Sequence, residues 1–158
     1  MNLLKKIERR EATISVIGMG YVGLPLSVAF AESGFRTFGI DLDKSKVDRV
    51  NRGQSYIPDV SSNILTTLTS TNGPRNSGTL HAYSDYTPLK DSDVAIICVP
   101  TPLSKTKEPD LSYVISAADA ISQLLRKGML VVLESTTYPG TTEELILPRL
   151  QNSGNQNL

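Results

Sequence analysis

The chain has 158 residues, enough for one domain with a sizeable core, and its sixteen Lys and Arg balance sixteen Asp and Glu. No block of like charge stands out, which excludes a non-specific binder of nucleic acid or of an acidic membrane, since both need a basic excess. Cys98 is the only cysteine, so no disulfide can form within the chain, and no apolar run approaches membrane-spanning length. The start, "MNLLKKIERREA", is too charged for a signal peptide. The chain therefore reads as soluble and cytoplasmic.

Residues 1–11 form a polar lead to which the pattern assigns no element. "ATISVIG" (12–18) is β-branched and apolar, as expected of a strand buried on both faces. "YVGLPLSVAFAESG" (21–34) then places Val22, Leu26, Ala29 and Phe30 at helical spacing, with Pro25 in the first turn and Gly34 as a stop. "FRTFGID" (35–41) is a second strand and "DKSKVDRVNRG" (43–53) a second helix. "QSYIPDV" reads as a loop, "SSNILTTLTS" as a short helix and "TNGPRNSG" as a turn-rich loop.

"TLHAYS" (79–84) predicts a third strand and "DVAIICV" (93–99) a fourth. A proline-punctuated loop, "PTPLSKTKEPD", separates them from a helix over 111–128. "MLVVLES" (129–135) is a fifth strand, and "GTTEELILPRL" (140–150) opens another helix before the frayed tail "QNSGNQNL". Strands alternating with helices mark a parallel sheet covered on both faces. A complete dinucleotide-binding fold carries a sixth strand. None is evident after the last helix, so the fold reads as truncated.

The loop "GMGYVG" (18–23) between the first strand and its helix has the spacing G-x-G-x-x-G. Gly18 suits the tight turn, Gly20 lets a pyrophosphate approach the backbone, and Gly23 allows close helix-to-strand packing. The helix N-terminus offers free N–H groups and the positive end of its dipole to the phosphates. The bare pattern also fits any glycine-rich turn, but Asp41 ends the second strand near the offset of about 20 residues expected for an acid on the adenosine ribose. Asp41 or Asp43 could instead cap the next helix, and one aspartate can fill each role. A carboxylate there favours NAD over NADP, because it repels a 2′-phosphate; Lys44 and Lys46 weigh the other way.

Two further loops leave the same sheet edge, "VPTPLSK" (99–105) and "ESTTYPGTT" (134–142), both rich in hydroxyls. Such residues also serve as loop ties and caps, for instance Thr141 or Thr142 at the start of the last helix. His81 has no catalytic context. Cys98 stands within "AIICV", where a thiol acts as a small buried apolar group. No cluster has metal-ligand spacing, so no metal is expected.

Together "GMGYVGLPL", "GIDLDKSKVDRVNRGQSYIPDV", "VPTPLSKTKEPDLSYV" and "LESTTYPGTTEE" resemble the N-terminal domain of the UDP-glucose/GDP-mannose dehydrogenase family over residues 12–150. "SYIPDV" and "VPTPLSKTKEPDLSYV" are most similar to its UDP-N-acetylhexosamine 6-dehydrogenases. The resemblance implies a Rossmann-type doubly wound parallel sheet and NAD as cofactor. It also implies oxidation of a sugar C6 alcohol to the uronate through a cysteine-linked thioester, in polysaccharide biosynthesis.

By resemblance Gly18, Met19, Gly20, Tyr21, Val22 and Gly23 hold the pyrophosphate and Asp41 the adenosine ribose. Lys46 stands where the family has an arginine near the adenosine half. Val99, Pro100 and Thr101 line the nicotinamide side, and Thr137 helps to order the catalytic water. The family's nucleophilic cysteine, its sugar-nucleotide domain and its dimerising helix belong to later segments, and Cys98 does not match that cysteine. The UDP-sugar is thus a partner of the intact enzyme alone. Nucleic acid and membrane are not expected partners, and homo-oligomerisation is left open. A stand-alone NAD-sensing module without chemistry is the alternative reading.

Overall fold

The computed structural model describes residues 2–70, 78–103 and 109–151. Most of the expected turn-rich loop (71–77), part of the proline-punctuated loop (104–108) and the tail from 152 lie outside these residues.

The chain runs α1 (Leu3–Glu8), β1 (Thr13–Ile17), α2 (Gly23–Glu32), β2 (Arg36–Ile40), α3 (Lys44–Asn51), α4 (Ser62–Thr69) and β3 (Thr79–Tyr83). It continues with a 3₁₀ turn at Thr87–Asp91, β4 (Val94–Ile97), α5 (Ser112–Leu124), β5 (Leu130–Leu133), a wide π-type turn at Thr141–Ile146 and α6 (Leu147–Gln151). The five strands form one parallel sheet in the order β3-β2-β1-β4-β5. This is a doubly wound arrangement: the chain builds outward on one side of β1, then returns to build outward on the other.

Burial on both faces explains why apolar residues occupy both sides of β1 and β4, with Thr13 and Ser15 the buried hydroxyls among them. Ile14 and Val16 of β1, with Val94 and Ile96 of β4, pack towards Phe35 and the partly buried Phe30 and Ile7. Ile17 of β1, with Ala95 and Ile97 of β4, packs against Ala117, Ile121 and Leu125 on and just beyond α5. A strand covered on both faces has no polar side to show. A third cluster joins Leu24 and Val28 of α2 to Val47 and Val50 of α3, Leu65 and Leu68 of α4 and Leu80 of β3.

The elements differ from the sequence reading chiefly in three places. Residues 1–11, given no element above, contain α1, which Asn2 caps by accepting from Leu4 N at 2.7 Å. Its Leu3 and Ile7 pack on the sheet, and Lys6 Nζ donates to Asp93 Oδ1 at 2.7 Å. The helix expected over 111–128 ends at Leu124. Leu125 turns extended and buried, so that Arg126 can donate to Ser92 O at 2.5 Å and Asp93 Oδ1 at 3.1 Å. At the last turn neither Thr141 nor Thr142 acts as the cap. Gly140 holds that position in the left-handed region, and Thr141 Oγ1 donates back to Tyr138 O at 2.7 Å.

Candidate functional site

The carboxyl ends of β1, β2 and β4 meet where the strand order reverses, the place where open α/β sheets leave a crevice for ligands. The loop after β1 is shaped by contacts that only glycine allows. Gly18 has φ +94°, and an added Cβ would lie 2.5 Å from Cys98 O, on the chain leaving β4. A Cβ on Gly23 would collide with the carbonyl of Gly18, so α2 starts pressed against the turn that precedes it. Gly20 differs: nothing lies within 4 Å of an added Cβ. Its freedom from crowding is what a ligand-facing backbone position requires.

Helix α2 begins without any side-chain cap. The first amides of a helix have no intrahelical acceptor and carry the positive end of the dipole, so they are available to an anion. Pro25, third in the helix, lacks an N–H at a position that needs none.

Asp41 follows β2 and reaches the loop directly. Its Oδ2 accepts from Met19 N at 2.9 Å and from Lys46 Nζ at 3.2 Å, and its Oδ1 accepts from Asp43 N at 2.9 Å. A carboxylate offers about four acceptor sites, so about one remains for a ligand. Asp43 is the helix cap: its Oδ1 accepts from Ser45 N at 2.9 Å, and that bond with the one from Ser45 Oγ holds its carboxyl below the usual range. The two aspartates thus divide the work.

Two clefts open on either side of the loop. The first, about 230 Å³, is lined by Gly18, Asp41, Lys46, Leu42, Tyr86 and Tyr113 among others. Leu42 and Tyr113 are exposed apolar side chains at its mouth. Burial, with Asp41 nearby, raises the Tyr86 phenol above its ordinary value, so it remains a neutral donor. The second cleft, about 340 Å³, is lined by Gly20, Tyr21, Val22, Thr101, Ser135 and Thr136 among others. Val99 and Pro100 line both clefts.

The hydroxyl-rich loops do converge on the second cleft. Ser135 Oγ is engaged in tying them together, donating to Val99 O at 2.8 Å. Thr137 is half-buried one residue beyond the lining residue Thr136. Gly23 and Met19 lie beneath the surface, Gly23 at the helix start and Met19 fully buried in the core. The tyrosines at 86 and 113 were not singled out from the sequence. Tyr86 lies in none of the quoted stretches, and Tyr113 stands last but one in one of them without a signal that its ring lines a site; only the fold brings both to the cleft.

A family model described as the UDP-glucose/GDP-mannose dehydrogenase family, NAD binding domain, matches residues 12–158. The chain belongs to the UDP-glucose/GDP-mannose dehydrogenase family. Among relatives in that family, UDP-N-acetyl-D-mannosamine dehydrogenase of Escherichia coli K12 is 43% identical over 136 residues, covering 85% of this chain and 30% of that protein. NDP-N-acetyl-D-galactosaminuronic acid dehydrogenase of Ralstonia nicotianae is 39% identical over 135 residues, covering 84% and 30%. The structure of a GDP-mannose dehydrogenase ternary complex from Pseudomonas aeruginosa superposes with a TM-score of 0.80 at 29% identity, over 91% of this chain and 33% of that one. UDP-glucose dehydrogenase of Pyrobaculum islandicum gives 0.81 at 32% identity, over 92% and 34%. The chain thus spans about 30% of the length of these curated relatives, the part that binds NAD in the UDP-glucose/GDP-mannose dehydrogenases.

Proposed function

We propose that the chain is the cofactor-holding part of an NAD-dependent nucleotide-sugar 6-dehydrogenase whose substrate is a UDP-N-acetylhexosamine and whose product is the matching uronate. The observation that carries this reading is the meeting of the glycine loop and Asp41 at one crevice, joined by the Met19 N to Asp41 bond of 2.9 Å. The sugar class is supported by the named activities of the E. coli and Ralstonia relatives. We place the activity in the cytoplasm and in the synthesis of polysaccharide precursors. Among the described residues no helix is long and apolar enough to cross a membrane, which agrees with that location.

The residues present fit a dinucleotide. Open space at Gly20, the uncapped start of α2 and the remaining acceptor site of Asp41 are the three features that such a ligand uses. Gly18 to Gly23 hold the pyrophosphate, Asp41 takes a ribose hydroxyl, and Lys46 sits beside the adenosine half. Val99 and Pro100 separate the two clefts, so the ligand lies across them, with its nicotinamide half towards Thr101. When bound, NAD accepts hydride from the carbinol carbon. Thr101 and Thr137 contribute hydroxyls that both donate and accept, which suits orienting water beside a reacting carbon. Such positioning lowers the barrier by removing freedom of motion, not by activating a nucleophile.

Calorimetric titration of the chain with NAD and with NADP tests the reading. NAD binding, tighter than NADP, is the expected result. Absence of NAD binding by folded chain, or tighter NADP, would overturn it.

A further inference from the structure

Met19 stands between Gly18 and Gly20, and both polar atoms of its main chain are held. Its amide donates to Asp41 Oδ2 at 2.9 Å. Its carbonyl accepts from Tyr56 Oη at 2.6 Å. The first bond belongs to the site described above. The second arrives from the loop between α3 and α4, 37 residues further along the chain, and its donor lines neither cleft.

The Met19 carbonyl and the Gly20 N–H share one peptide plane. In a trans peptide these two groups point in opposite directions, and the described residues contain no cis peptide bond. A donor fixed on the Met19 oxygen therefore fixes the direction of the Gly20 N–H as well. Tyr56 packs against the core cluster around Met19, Leu24 and Val47. The Gly20 N–H is consequently turned away from that core, at the one loop glycine with open space beside it.

Tyr56 is itself firmly seated. The Arg49 guanidinium lies 5.3 Å from its ring centroid and donates to Ser55 O at 2.5 Å. Burial is the main reason its phenol is raised well above the ordinary tyrosine value, with the Asp41 charge adding to it and Arg49 opposing. The hydroxyl thus stays a donor throughout the working pH range.

Resting on the NAD reading above, we propose that Tyr56 is a positioning residue for the dinucleotide pyrophosphate: its hydroxyl locks the Met19–Gly20 peptide so that the Gly20 N–H is already aimed at the phosphates before the ligand arrives. Preorganised donors bind more tightly because no ordering cost remains at the moment of binding.

The test uses Tyr56→Phe, which keeps the ring and its Arg49 contact, in the full chain. NAD, ADP-ribose and adenosine are titrated into both proteins. Loss of one hydrogen bond that presets the loop should weaken NAD and ADP-ribose about 3- to 10-fold, with adenosine unchanged. Equal NAD affinity in variant and unmodified chain would overturn the inference, as would an equal loss for adenosine, the mark of a merely structural role. Failure of the unmodified chain to bind NAD would overturn the NAD reading and this inference together, so the two failures are distinguishable. A second measurement needs no variant. The backbone order parameter of Gly20 in the unliganded chain should be close to the rigid value of about 0.85, and a value below about 0.6 would overturn the proposal.

Discussion

Lys46 Nζ lies 3.2 Å from Asp41 Oδ2, on the same oxygen that accepts from the Met19 amide. The carboxylate that would repel a 2′-phosphate is therefore accompanied by a cation that would attract one. Discrimination between NAD and NADP rests on the balance of these two side chains, and each can be removed separately.

Lys46→Met should leave NAD affinity within about threefold, since a partly exposed ion pair contributes little. It should weaken NADP about 10- to 100-fold, the worth of a charged hydrogen bond. Asp41→Ala should act in the opposite sense, weakening NAD about 10- to 100-fold and narrowing the gap to NADP. Parallel titrations of both variants with both cofactors decide this. Unchanged NADP affinity in Lys46→Met would show that the lysine does not face the 2′ position.

Gly20 and Gly23 should fail differently. Gly20→Val puts a branched side chain into open space, so circular dichroism should show an intact fold while NAD binding disappears. Gly23→Val drives a side chain into the Gly18 carbonyl, and here the fold itself should be lost or badly weakened. Retained NAD affinity in folded Gly20→Val would mean that the loop is a turn and nothing more.

Asp93 predicts an acid-sensitive contribution to stability. Burial pushes its carboxyl up, but bonds from Lys6, from Thr13 N and from Arg126 outweigh this and hold it below the usual carboxylate range. A carboxyl whose pKa is depressed in the folded state stabilises the fold above its unfolded value of about 3.9, and that contribution fades as the pH falls through the lower folded value. Asp93→Asn should therefore cost about 2 kcal/mol at pH 7, with the difference from the unmodified chain shrinking below about pH 4. Urea unfolding at pH 7 and near pH 3 measures it. A pH-independent difference would contradict the assignment.

Cys98 should be chemically silent in the native chain. Burial, with the Glu134 charge nearby, pushes its thiol up to about 11. At pH 8 only about one thiol in a thousand would then be ionised. An aromatic disulfide reagent should react slowly with folded protein and at once in denaturant. Rapid native labelling would reopen this residue as a nucleophile.

The strands and the glycine loop were legible because their signals are local. Ala12, Ile14, Val16 and Ile17 of "ATISVIG" all enter the core, and the loop's glycines sit at fixed offsets from them. Asp41 was legible for the same reason, as a strand end at a known distance. The contacts that hold the site were not. Tyr56 meets Met19 only after α3 has turned the chain back, and no residue near Tyr56 signals a partner 37 positions away. Helix α1 was missed because six residues with two apolar anchors hardly show a period. What fixes it, the Lys6 bond to Asp93, spans 87 residues. The overlong reading of α5 has a similar origin. "LLRKG" continues the helical pattern, but Arg126 is drawn to Ser92 and Asp93 by the tertiary fold.

Gly39 is the last residue but one of β2 and takes no part in the loop, yet a Cβ there would stand 2.6 Å from Met19 Sδ. Positions 19 and 39 therefore divide a single volume, and the sheet gives way so that the loop can be bulky. The fingerprint as usually written has three glycines; in this protein the methionine between the first two rests its flexible end on a fourth, in the neighbouring strand, and any side chain there would have to displace it. A family member with a small residue between its first two glycines is free to carry alanine or a larger side chain at the position of Gly39. One that keeps methionine at the position of Met19 has to swing its thioether aside to do so.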